Sequence, residues 1–174
     1  MKKAIIALVM VFCAVTLFAA TWSQTVVLVS VVEQVKPEYV LEAVYVENGY
    51  ANRTSSSEIS IESHNVKEDV RAEFVISQYL SRYCGQVEIR VFVTDLVCGK
   101  YHTDGLRMSS YVTDIRGRHG SSFITDNCVA FDLTYDGKAV DDSMVAGFTV
   151  EYKGNENLPD GDYVSHITMT IESK

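Results

Sequence analysis

The chain has 174 residues, 22% of them charged and 47% hydrophobic, with two prolines, ten glycines and a formal net charge of −8. That is a globular composition, and its acidic balance argues against nucleic acid or anionic lipid as partners, since both require a basic face.

Lys2 and Lys3 precede an uncharged apolar run, residues 4–20, which is the pattern of a secretion signal. Small residues place cleavage within residues 19–23. Residues 1–23 are therefore expected to be a signal peptide and residues 24–174 a single domain. About 150 residues bury roughly two-thirds of their unfolded surface, enough for a real core. Loss of Lys2 and Lys3 takes the formal charge to about −10. The run is also close to the length of a membrane span, so an uncleaved anchor is the alternative. No later segment is long and apolar enough to span as a helix. The processed chain is expected to be secreted, periplasmic or at the cell surface, and outside the membrane.

Residues 25–35 (TVVLVSVVEQV) predict a first strand, apolar on both parities as in a strand covered on both sides. Lys36-Pro37 ends it, and residues 39–47 predict a second. The polar run 48–57 reads as a loop opened by the Asn48-Gly49 turn signal. Residues 58–63 (EISIES) alternate cleanly. In residues 65–85 a capping box at Asn65 and Glu68 favours a helix. The apolar residues Val70, Ala72, Phe74 and Ile76 instead share one strand face, so 70–78 is predicted as a strand, with room for a turn of helix near 79–83.

Residues 86–98 (QVEIRVFVTDLVC) are the clearest internal strand, with Val87, Ile89, Val91, Val93 and Val97 on one side. Residues 99–105 turn, and a short strand is expected around 110–113. The basic stretch 116–122 (RGRHGSS) reads as a loop, with 122–125 pairing at an edge. Residues 128–135 place Val129, Phe131, Leu133 and Tyr135 inward, and Asp136-Gly137 is a tight turn signal. Residues 144–153 place Met144, Ala146, Phe148, Val150 and Tyr152 on one face. The last stretch, LPDGDYVSHITMTIESK, opens with a turn cluster and then alternates. Tyr163, Ile167, Met169 and Ile171 share one face, and His166 lies on the outer one. Turn signals separate eight to ten strands with no βαβ rhythm. The expected fold is all-β, an immunoglobulin-like antiparallel β-sandwich, with a closed barrel as the alternative.

This closing stretch, with Gly161 and Tyr163 ahead of an alternating terminal strand, resembles the end of secreted bacterial β-sandwich subunits of the fimbrial (pilin) and spore-coat-U-like group. The resemblance covers about seventeen residues strongly. It implies assembly, in which a strand from a neighbour or a periplasmic chaperone completes an incomplete sandwich. Tyr163, Ile167, Met169 and Ile171 would then line the terminal assembly strand. Ser173 stands where pilins usually carry an aromatic residue, and no cysteine lies between Cys13 and Cys84.

Cys84, Cys98 and Cys128 remain after processing, an odd number that cannot all pair within one chain. Cys98 ends one predicted strand and Cys128 begins another, so these two are the candidate disulfide. Three buried reduced thiols are the alternative. No nucleophile elbow, phosphate loop, CxxC or HExxH occurs, and no catalytic residue, cofactor or metal ligand is assigned. The chain therefore reads as an exported non-enzymatic subunit working through protein partners or self-assembly. The alternatives are a carbohydrate- or small-ligand-binding module using Tyr101, Tyr111 or Phe123, and a secreted hydrolase.

Overall fold

A computed structural model describes residues 34–174. The expected signal segment and nearly all of the 25–35 strand candidate lie outside the described residues. Twelve strands and no helix occupy the described part. In chain order they are β1 (Tyr39–Glu47), β2 (Tyr50–Arg53), β3 (Glu58–Ser63), β4 (Val70–Gln78), β5 (Ser81–Val93), β6 (Val97–Cys98), β7 (Tyr101–His102), β8 (Arg107–Val112), β9 (Arg118–Thr125), β10 (Cys128–Val140), β11 (Ser143–Tyr152) and β12 (Tyr163–Ser173). They form two antiparallel sheets. One runs β1-β4-β11-β8, and the other runs β2-β3-β12-β5-β10-β9, with β6 and β7 attached to β12.

Period-two sequence makes the sandwich because each strand sends alternate side chains into one shared interior. From β4 come Val70, Ala72, Phe74 and Ile76; from β10, Val129, Phe131, Leu133 and Tyr135; from β12, Tyr163, Ile167 and Met169, all buried. Phe148 on β11 lies opposite Phe74 in register, and their rings stack with centroids 4.8 Å apart. Phe131 meets Phe148 from the other sheet at 6.5 Å. The all-β sandwich expected from alternation is the fold observed, with twelve strands where eight to ten were counted.

The differences have local causes. The supposed loop 48–57 holds β2, because Asn48 takes a positive φ of 57° and turns the chain into a short pairing with β3. No helix forms near 79–83, since β5 already begins at Ser81 opposite Val140. The long strand 86–98 breaks at 94–96. There Thr94 exchanges bonds with His166 (main-chain N–H to His166 O, 3.0 Å; Oγ1 from His166 N–H, 2.9 Å). Val97 resumes beside Val164 on β12 with its side chain half exposed. Asp136-Gly137 is a bulge inside β10, with φ +83° at Gly137, where a hairpin turn was expected. A second bulge, between Met144 and Ala146, moves Met144 to the outer surface. The stretch 116–122 is no loop: β9 begins there and forms the edge beside β10.

The Cys98–Cys128 disulfide is corrected as well: Cys84, Cys98 and Cys128 are all free thiols. Cys128 lies across β5 at Phe92, which faces Thr168 on β12. Val97 faces Val164, four residues further along β12, and Cys98 lies one step beyond that. Five strand residues cover roughly 17 Å, far outside the reach of an S–S bridge. Cys98 packs instead beside Gly161, on the turn entering β12.

Candidate functional site: the open edge of the closing strand

The loop before β12 is pinned, which sets where that strand starts. Lys67 Nζ holds the Asp160 carboxylate at 2.6 Å, His64 Nδ1 meets Asp162 Oδ1 at 2.5 Å, and Lys153 holds Asp69 at 2.7 Å. The main-chain N–H of Gly154 donates to Asp69 Oδ1 and that of Asn155 to Val66 O. From there β12 runs between β3 and β5, but each neighbour covers only part of it. β3 pairs from Tyr163 opposite Ser63 to Thr168 opposite Glu58. β5 pairs from Ile167 opposite Val93 to Ser173 opposite Val87.

After Glu58 the β3 chain turns away. The N–H of Met169 donates to Ser57 O at 2.7 Å, and Leu41 N–H takes Ser56 O at 2.8 Å. The 54–57 turn thus crosses from β12 to β1 and closes the covered part of the ladder. Main-chain groups alternate sides along an antiparallel strand, so Ile171 and Ser173 point theirs the same way as Met169. Among the described residues no strand pairs with them there. Ile171 has the parity of the buried Ile167 and Met169, yet it is 46% exposed. Of the four residues assigned to a terminal assembly strand, three are core and Ile171 alone faces a gap.

The chain upstream points to the same place. Val35 exchanges two main-chain hydrogen bonds of 3.0 Å with Arg82 on β5. The N–H of Lys174 donates to Gln86 O on that same strand edge. Val35 therefore continues the line of β12 after a break opposite Tyr83, Cys84 and Gly85.

Charges flank the gap on the outer surface. A groove of about 330 Å3 is lined by Glu88, Arg90, Phe92, Thr170, Ile171 and Glu172. Glu88 faces Glu172 across the β5–β12 ladder, a like-charge pair that two cations offset. Arg90 Nε donates to Glu88 Oε1 at 2.5 Å, and Lys174 Nζ reaches Glu88 Oε2 at 2.6 Å and Asp132 at 3.5 Å. Hydrogen bonds from Lys174 and Arg90 hold the Glu88 carboxyl below the usual glutamate range. A lowered folded-state pKa stabilises the fold above the unfolded value, and that stability is lost as pH falls through the folded one. Stability is therefore expected to drop on acidification through and below the ordinary carboxylate range. Glu88→Gln should flatten that part of a urea-midpoint profile while staying folded at neutral pH; an unchanged acid limb would refute the assignment.

The aromatic residues proposed for ligand binding do not converge. Tyr111 on β8 lies flat against Gly147 on the outer face of the four-stranded sheet, with its hydroxyl 3.7 Å from Met144 Sδ. Phe123 on β9 stands on the outer face of the other sheet, in the row of Ala130 and Arg90. Tyr101 lies in the small β6–β7 hairpin. His166 is exposed on the outer face of β12. β3 keeps the expected bounds 58–63; what sequence reasoning missed is its register against β12, which pairs Glu58 with Thr168 and leaves residues 170–173 beyond its end. A scan against protein-family models, a search of curated proteins and a search of solved structures return no match for this chain.

Proposed function

We propose that this protein is an exported, non-enzymatic structural or assembly subunit that takes a β-strand from a protein partner along residues 170–173. The observation that carries this reading is Ile171, a core-parity side chain left half exposed on a strand edge that no strand covers among the described residues. Such an edge offers main-chain donors and acceptors for pairing, and the adjacent apolar position gives the incoming strand a side-chain contact. The resemblance of 158–174 to fimbrial and spore-coat-U-like subunits agrees with this reading. The apolar segment 25–35, or the same segment of another copy, has the composition such a strand needs.

The test is size-exclusion chromatography with light scattering over a hundredfold concentration range, with a synthetic 25–35 peptide as a second probe. Wild type is expected to form concentration-dependent oligomers or to bind the peptide. Ile171→Asp should weaken either by about tenfold or more, the worth of one buried isoleucine. Its melting temperature should hardly change, because Ile171 is exposed. A chain that stays monomeric throughout and ignores the peptide would sink the proposal.

A further inference from the structure

Side chains on the outer face of a sheet ordinarily stand roughly perpendicular to it. Tyr111, on the outer face of the four-stranded sheet, lies down instead. A Cβ on Gly147, its register partner on β11, would stand 2.5 Å from Tyr111 Cζ and Oη and 2.6 Å from Cε1. The ring therefore crosses from β8 and rests on the Gly147 main chain, with its hydroxyl 3.7 Å from Met144 Sδ. Gly147 is buried and Tyr111 is 52% exposed, so one ring face is spent on the sheet and the other is open. Glycine inside a strand costs stability and marks a close approach, and cover by an aromatic ring recovers part of that cost. This explains why the ring lies flat and leaves its outer face free.

One register row crosses all four strands here: Glu42 on β1, Val75 on β4, Gly147 on β11 and Tyr111 on β8. It spans three strand spacings, roughly 14 Å. The next row on the same face is Val40, Ser77 and Met144. Met144, which the Tyr111 hydroxyl meets, is also in the wall of an open cavity of about 350 Å3, together with Glu42, Ser77, Tyr79 and Asp142. Ring and cavity are thus adjacent parts of one face. Gln78 and Ser143 border the cavity too, but their side-chain oxygens accept from the guanidinium of Arg118, which is fully buried behind them. Asp142 is exposed, and Glu42 gives one oxygen to Arg53 at 3.4 Å and keeps the other.

An open aromatic face beside hydroxyl and carboxylate groups has the chemistry of a sugar site. An all-equatorial pyranose presents polarised C–H bonds on its ring faces, which the negative face of an aromatic ring attracts. Its hydroxyls lie around the rim, where ionised carboxylates accept them in charge-assisted bonds. An apolar ligand would desolvate the carboxylates without pairing them, and an anionic one would be repelled. An open face buries little of a single sugar, so a flat chain reaching along the row is the occupant it suits.

We propose that this face binds a neutral β-1,4-linked oligosaccharide of gluco configuration, with Tyr111 stacked on one sugar ring and Ser77, Glu42 and Asp142 taking hydroxyls. The site lies on the other sheet from the β12 edge and does not depend on the assembly reading. The test is isothermal titration calorimetry on the full exported chain with cellohexaose and with the hexamer of N-acetylglucosamine, and with a galacturonate hexamer as the acidic control. At least one neutral hexamer is expected to bind saturably with Kd under about 1 mM, and the acidic one at least about tenfold more weakly. Tyr111→Phe keeps the ring and should stay within about threefold of wild type, whereas Tyr111→Ala should lose about tenfold or more. Tyr111→Ala also uncovers Gly147 and lowers stability, so Asp142→Ala is the second variant. Asp142 is exposed, and this variant should melt as wild type does while binding about fivefold or more weakly. Failure of both neutral hexamers to bind, an acidic hexamer that binds equally well, or an affinity indifferent to Tyr111→Ala and Asp142→Ala would each overturn the proposal.

Discussion

Replacing Arg118 with alanine is expected to lower the unfolding free energy by about 3–5 kcal/mol, although the residue lies in a stretch that reads as a polar loop. Truncation leaves Ser143 Oγ and the carbonyls of Thr113 and Met144 without the donor they share, and strips Gln78 Oε1 of one of its two. A buried acceptor left unmet costs about 1–3 kcal/mol, and a cavity adds to that. Relief from burying the charge offsets part of the sum, which keeps the expected total below simple addition. Arg118→Met fills the volume but restores no donor, so it should recover only the cavity share. The measurement is urea unfolding, in which the midpoint falls and the slope stays constant. Arg116→Ala, two residues away and exposed, should stay within about 0.5 kcal/mol of wild type. A cost below about 1 kcal/mol for Arg118→Ala would mean that the guanidinium does not join the sheets.

The contrast between Arg118 and the strands around it shows what alternation conveys. Val70 to Gln78 was legible to the residue, because apolar side chains at every second position leave one register that buries them all. The same holds for 58–63 and for the inward parity of β12; 39–47 was placed as a strand, but Tyr39, Val40 and Leu41 are all buried and a bulge between Ala43 and Tyr45 leaves Val44 and Tyr45 exposed. β9 carries no such signal. Its inward positions are Arg118, Gly120 and Ser122, of which Ser122 meets Ser110 Oγ at 3.0 Å where the two sheet edges come together. Gly120 is small of necessity, since a Cβ there would stand 2.7 Å from Asp132 O and Leu133 Cδ2. Polar and small residues that serve a close edge contact look, in one dimension, like a loop.

The candidate site was half legible for a related reason. Parity puts Ile171 with Ile167 and Met169, and nothing local distinguishes them. The exposure of Ile171 follows from the register against β12 of β3, a segment more than a hundred residues upstream. The disulfide expectation failed in the same manner: adjacency of strand ends in sequence does not give the stagger of β6 along β12, which carries Cys98 away from Cys128.

Phe148→Ala should cost about 3–5 kcal/mol, and it tests whether the two sheets meet where the rings place them. Phe148 is buried at the centre of β11, stacked on Phe74 at an interplanar angle of 13° and tilted at 48° to Phe131 of the facing sheet. Removing it takes a contact from both layers at once, and the straight, fully paired β4 beside it leaves little freedom to close the void. Phe148→Leu should cost about 1–2 kcal/mol, since most of the volume remains. Combined with Phe74→Ala, the loss should depart from additivity by about 0.5–1.5 kcal/mol, the share belonging to the ring pair. Phe131, which the ring meets, shares an inner row with Ile89 and Ile171, so Phe148→Ala should act mainly on stability, whereas Ile171→Asp should weaken binding by about tenfold or more at nearly unchanged stability. A Phe148→Ala cost under about 1.5 kcal/mol would mean that the layers are not joined at this point, and the parity that leaves Ile171 facing a gap would lose its meaning with it.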